Sequence, residues 1–271
     1  MPHKEDYEKN MVYLYQFPRP ACSPNLSPYC LKAETWLRMA DIPYKALSND
    51  FKIYSSKHQL PFAELDGQEL PDSGLMIRKL ADIFLKHHLE PTSPADKAMA
   101  HALDRLVEGS LVWCMITYRS KDARQRLVAG FVNTGKAPWY LNMAAPVLGW
   151  RIGSQLSNKV HEQGYGRLTD EELQQVCERD LLALNEILGD KKFLMGDSPT
   201  TIDATAFGTL CQFYYPPDGD AYAIRKFIST ECPSLVQYIE RIKAEYWPDW
   251  DRVCGEYDKM TSDWKNAKDK E

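Results

Sequence analysis

No stretch of this 271-residue chain is apolar for long. The most hydrophobic, Leu111 to Thr117 (LVWCMIT), falls far short of the ~18 residues a membrane-crossing helix needs, so no transmembrane segment is expected. The first ten residues, MPHKEDYEKN, lack the apolar core of a secretory signal, and a cytoplasmic location is the expectation. Positive charge is not in excess. Lys+Arg total 33 against 38 Asp+Glu, a net charge of −5, which disfavours a nucleic-acid partner. There is no CxxC pair and no Cys/His cluster at zinc spacing, so no metal site is expected. The seven cysteines, at 22, 30, 114, 177, 211, 232 and 254, are odd in number and irregular in spacing, which argues against a disulfide framework and for a reducing compartment. Repeats and low-complexity tracts are absent too.

What remains is an ordinary globular composition, 44% hydrophobic and 26% charged, long enough for about two domains. Two prolines in Leu89-Glu90-Pro91-Thr92-Ser93-Pro94 mark a linker between residues 1–89 and 95–271. Before it, element types alternate. Met11 to Phe17 reads as a buried strand and Pro28 to about Ala40 as a helix, with Ser27 as N-cap and proline at the first helical position. A second short strand follows at Tyr44 to Ser48. Phe62 to Leu65 and Gln68 to Leu70 flank Asp66-Gly67, a hairpin signal. Ser73 to His88 then carries apolar residues at helical spacing. After the linker the strands vanish. Ala95 to Tyr118 and Glu171 to Leu188 are amphipathic, Thr200 to Asp203 forms a capping box, and Cys232 to Tyr246 opens at Pro233. The expected aromatic core draws on Trp113, Tyr118, Trp139, Tyr140, Trp150, Phe213, Tyr214 and Tyr215.

This order of elements, with the runs Asn25-Leu26-Ser27-Pro28-Tyr29-Cys30-Leu31-Lys32 and Gln59-Leu60-Pro61-Phe62-Ala63-Glu64-Leu65-Asp66-Gly67, resembles the glutathione transferase superfamily. More narrowly, the two runs look like its failed-axon-connections and metaxin-like branch. The triplet Pro71-Asp72-Ser73 and the Thr200–Asp203 capping box support the wider superfamily. The resemblance implies an α/β thioredoxin-like N-terminal domain that binds glutathione, followed by an all-α C-terminal domain. It also implies a homodimer and a cis Leu60-Pro61 bond that turns the Leu60 N–H and C=O toward an extended peptide.

On that resemblance, chemistry assigns roles. Glutathione's γ-glutamyl end needs an acid for its amine and donors for its carboxylate. Asp72 supplies the first; Ser73, at a helix N-terminus, supplies a hydroxyl and free N–H groups. Lys57 and His58 stand where the glycyl carboxylate would lie. A thiol of pKa ≈ 8.5 needs help to ionise near neutrality. Ser27 occupies the activating position of serine-type transferases, while the tyrosine-type position reads Gln16-Phe17-Pro18. The loop Arg19 to Leu26 exceeds the usual 2–6 residues, so Ser23 or Tyr15 stays open as the sulfur's partner. Tyr118 and Arg119 are the expected face of a hydrophobic substrate site. Cys30 has serine in place of a redox partner three residues earlier, which disfavours dithiol chemistry.

Two functions follow. One is conjugation of the glutathione thiolate to small electrophiles. The other is a non-catalytic scaffold or adaptor on the same fold, acting in neuronal development or organelle association as the narrower resemblance implies.

Overall fold

A computed structural model describes residues 3–48, 54–121, 139–216 and 223–254, with the side chains of 139–142 and 144 outside the description. The Trp139 and Tyr140 side chains therefore lie outside the described residues.

The first half holds β1 (Val12–Gln16), α1 (Pro28–Met39), β2 (Tyr44–Ser48), β3 (Phe62–Leu65), β4 (Gln68–Pro71) and α2 (Ser73–Ile83). The sheet order is β2-β1-β3-β4. β1 runs parallel to β2, with Val12 opposite Tyr44, and antiparallel to β3, with Tyr13 opposite Glu64 and Tyr15 opposite Phe62. Asp66 and Gly67 both take positive φ (49° and 77°), as the tight β3–β4 turn requires. This is the thioredoxin-like plan. Its α2 ends at Ile83, and a separate 3₁₀ turn at His87–Leu89 completes what the periodicity presents as one helix.

From Pro94 the described residues are helical: α3 (Pro94–Leu106), α4 (Val112–Lys121), α5 (Trp139–Glu162), α6 (Asp170–Leu188), α7 (Thr201–Tyr214), α8 (Ala223–Glu231), α9 (Pro233–Tyr246) and α10 (Trp250–Val253). The segment expected as one helix from Ala95 to Tyr118 is interrupted by a π turn at Val107–Leu111. Trp150 is not core: it is 75% exposed on α5, a helix that pattern reading misses because Pro146 sits inside it. Phe213 is buried as expected.

The packing that positions everything else is around α1. Its polar residues Lys32, Glu34, Thr35 and Arg38 are all buried, because α1 is clasped between the sheet and the helical half. Buried polar groups need partners, and for Lys32, Thr35 and Arg38 the helical half supplies them. Lys32 pairs with Glu108 at 2.8 Å, Trp36 donates to Thr201 Oγ1 at 3.0 Å, and Trp247 donates to Thr35 Oγ1 at 3.1 Å. Arg38 bonds both oxygens of Asp249 and stacks 3.6 Å over Trp247. Opposite α1 lies Gly208 of α7. A Cβ there would stand 2.6 Å from the Pro28 carbonyl oxygen and 2.8 Å from the Lys32 amide nitrogen, so only glycine permits the contact.

Candidate functional site

The N-terminus of α1 is set by Ser27, whose Oγ accepts from the Cys30 amide at 3.3 Å. Accepting leaves the hydroxyl its own proton, and the Cys30 thiol lies within its hydrogen-bonding reach. The loop ahead of Ser27 is long, but it is held at each step. Asn25 accepts from the Ser27 amide at 2.9 Å through Oδ1 and donates to the Phe17 carbonyl at 3.0 Å. Ser23 Oγ donates to the Asn25 carbonyl and is itself buried. From the helical half, Gln212 donates to the Asn25 carbonyl at 3.2 Å, and Arg119 donates to the Leu26 carbonyl and to Gln212 Oε1.

Beneath that loop lies a charge cluster. Arg19 grips both oxygens of Glu34 at 2.7 and 3.2 Å and donates to the Pro24 carbonyl at 3.2 Å. Glu34 also accepts from Gln16 at 2.7 Å and from the Tyr44 hydroxyl at 3.0 Å. Burial by itself would push the Glu34 carboxyl up; Arg19 and Arg38 outweigh it and hold the group down at about 2. Sequence reading does not single out these residues. Glu34 and Arg38, four apart on a helix, carry the signature of an ordinary surface pair.

Tyr15 points elsewhere. Its hydroxyl donates to Glu64 at 3.1 Å and its ring stacks on Phe62 at 4.5 Å. With Ser23 bonded inside its own loop, Ser27 is the hydroxyl at the mouth of α1. The Cys30 thiol is fully buried, and burial raises it to about 12, so it is no thiolate at neutral pH.

The Leu60-Pro61 bond is cis, and Leu60 packs in one apolar cluster with Cys30, Phe62, Tyr13 and Tyr15. Among the described residues, the Leu60 amide and carbonyl enter no loop or strand hydrogen bond. Lys57 and His58 sit in the exposed turn just before it. Asp72 is the N-cap of α2, at φ 73°, and its Oδ1 accepts from the Gly74 and Leu75 amides at 3.0 Å each. Those two amides are taken by the cap, so the donors remaining beside Asp72 are the Ser73 hydroxyl and amide. Asp72 and Glu108 both lie close enough to the half-buried Tyr29 hydroxyl to help burial raise it to about 12. The first turn of α1 thus neighbours Leu60 through Cys30.

Of the pair expected to face a hydrophobic substrate, Arg119 is buried with its guanidinium on Leu26 and Gln212. Tyr118 is half-buried and packs against the main apolar core. Among the described residues no cluster of His, Cys, Asp and Glu could hold a metal ion, and no helix is long and apolar enough to cross a membrane.

Family models for the glutathione S-transferase N-terminal domain and the glutathione S-transferase C-terminal domain match residues 28–125 and 177–242. The chain belongs to the glutathione transferase superfamily. Its similar proteins include Failed axon connections and metaxins. It is 34% identical over 262 residues to Failed axon connections of Drosophila melanogaster, covering 94% of this chain and 63% of that protein. The isoprene-epoxide–glutathione S-transferase of Rhodococcus sp. (strain AD45) is 28% identical over 248 residues, covering 87% of this chain and 99% of the relative. Metaxin-2 of Mus musculus is 21% identical, covering 81% and 82%. Among solved structures, a glutathione transferase family member from Pseudomonas fluorescens pf-5 with two glutathione bound has a TM-score of 0.54 at 15% identity, covering 87% of this chain and 89% of that one.

Proposed function

We propose that the chain binds glutathione along Leu60, Pro61, Asp72 and Ser73, with Lys57 near the glycyl end, and conjugates its thiolate to small electrophiles. Ser27 is the thiolate stabiliser. The observation that carries this reading is the Ser27 hydroxyl: it sits at the N-terminus of α1, accepts from the Cys30 amide and keeps a proton to donate. A hydroxyl donor at the positive end of a helix favours a thiolate over a thiol. Leu60 offers one amide and one carbonyl to the tripeptide backbone, Asp72 meets its α-amine and Ser73 its carboxylate. The cytoplasm is the proposed location, and a homodimer the proposed assembly.

The test is calorimetric titration with glutathione while thiolate absorbance of the bound ligand is followed across pH. Saturable binding with the thiol pKa well below ≈ 8.5 supports a transferase. Binding without that shift removes the catalytic role and leaves a ligand site. A second reading, a non-catalytic scaffold acting in neuronal development or organelle association, is favoured by the 34% identity to Failed axon connections, of which this chain spans 63%. Absence of glutathione binding would select it.

A further inference from the structure

The sheet face that carries Tyr13, Tyr15, Phe62 and Glu64 is covered by a polar segment, His3 to Asn10, that sequence reading treats only as lacking a signal. The His3 and Lys4 amides donate to the two oxygens of Glu64 at 2.6 and 3.1 Å, and the carboxylate is buried beneath them. The His3 ring lies 5.8 Å from Tyr15 and 5.3 Å from Phe62. Further along, the Glu8 amide donates to the Tyr13 hydroxyl and the Asn10 amide to Asp66 Oδ1, both at 2.8 Å. Tyr7 packs over Gly67, where an added Cβ would meet its ring at 3.1 Å. The segment is strapped along β3, β1 and the β3–β4 turn.

The strap also reaches the turn that ends at Leu60. His3 Nε2 lies 3.5 Å from Glu69 Oε2, and Glu69 Oε1 accepts from the Ser56 amide at 2.9 Å and its hydroxyl at 2.7 Å. Burial works against ionising Glu69, but these Ser56 and His3 contacts hold its carboxyl below the usual range. Within the turn, Ser55 Oγ donates to the Gln59 carbonyl at 3.0 Å, and the His58 amide donates to the Ser55 carbonyl at 2.8 Å. The turn is therefore stiff in itself and fastened to the sheet through Ser56 and Glu69.

We propose that His3 and Glu69 are positioning residues of the ligand site: the N-terminal strap orients Glu69, and Glu69 holds the Ser55–Gln59 turn where Leu60 meets the backbone of a γ-glutamyl tripeptide. The proposal rests on the glutathione reading above for its ligand, but the strap-to-turn linkage stands on its own contacts.

The experiment compares wild type with His3→Ala, Glu69→Ala and Glu69→Gln by amide hydrogen exchange and glutathione titration. In Glu69→Ala, losing the Ser56 bonds should raise exchange at the Ser56–Gln59 amides and weaken glutathione binding, each by about fivefold for one hydrogen bond. His3→Ala should move both in the same direction by less. Glu69→Gln keeps an acceptor for Ser56 and should restore both. The thiol pKa of bound glutathione, set at Ser27, should not move, and that separates positioning from general destabilisation. Unchanged exchange in Glu69→Ala overturns the linkage. Faster exchange with undiminished affinity overturns the positioning role. If wild type itself takes no glutathione, the reading of the site fails, and exchange alone decides whether the strap holds the turn.

Discussion

Arg119 donates to the carbonyl of Leu26, so the residue immediately ahead of Ser27 is held from the helical half of the molecule. With Gln212 bonded both to Arg119 and to the Asn25 carbonyl, two side chains from the second half fix the entry to α1. The length of the loop is thereby reconciled with a defined place for Ser27.

Replacing Arg119 tests that hold. Arg119→Ala leaves a buried carbonyl and the Gln212 amide oxygen without their donor, a cost of about 1–3 kcal/mol per group. The urea midpoint should fall accordingly, and turnover should fall further than stability predicts because Ser27 loses its register. Turnover that tracks the folded fraction alone would limit Arg119 to a structural role.

Ser27→Ala separates the cap from the chemistry. Loss of the N-cap should cost about 1 kcal/mol of stability. On the proposed transferase reading, turnover should drop while the glutathione dissociation constant stays near its wild-type value. Steady-state kinetics beside calorimetry reads both, and an active Ser27→Ala enzyme removes Ser27 from the mechanism.

Glu34 sets an acid limit. Its folded value near 2 lies below the ordinary carboxylate value of 4.5. A depressed carboxyl contributes stability above the unfolded value, and that contribution drains away as pH falls from about 4.5 toward 2. Urea midpoints measured down that range should decline. Glu34→Gln leaves Arg19 and Arg38 buried without their shared carboxylate, a loss of about 3–5 kcal/mol, and should flatten the acid dependence.

Gly208→Ala addresses the seam between the halves. The new methyl meets main-chain atoms of Pro28 and Lys32 rather than a flexible side chain, so α1 and α7 must separate. Overpacking of this kind costs about 1–3 kcal/mol. Thermal denaturation should show a lower midpoint, and the α1 amides should exchange faster.

Local sequence pattern is enough for the alternating first half, the helical second half, the cap at Ser27 and the turn at Asp66-Gly67. These follow from local rules: a serine before proline stops and starts backbone in one way, and an Asp-Gly pair accepts the positive φ a tight turn needs. Long-range packing decided which polar residues are surface. Glu34 and Arg38 look like a solvated pair four apart, and Arg119 looks like a cleft cation, yet all three are buried: the first two because α1 lies between two layers, Arg119 of α4 because it turns onto the Leu26 carbonyl and Gln212. It also decided that Tyr15 bonds Glu64 and that His3 to Asn10 lies along the sheet. Each of these depends on a partner far away in the chain. Local periodicity carries no record of such partners, since burial of a charge is permitted only where distant groups arrive to satisfy it.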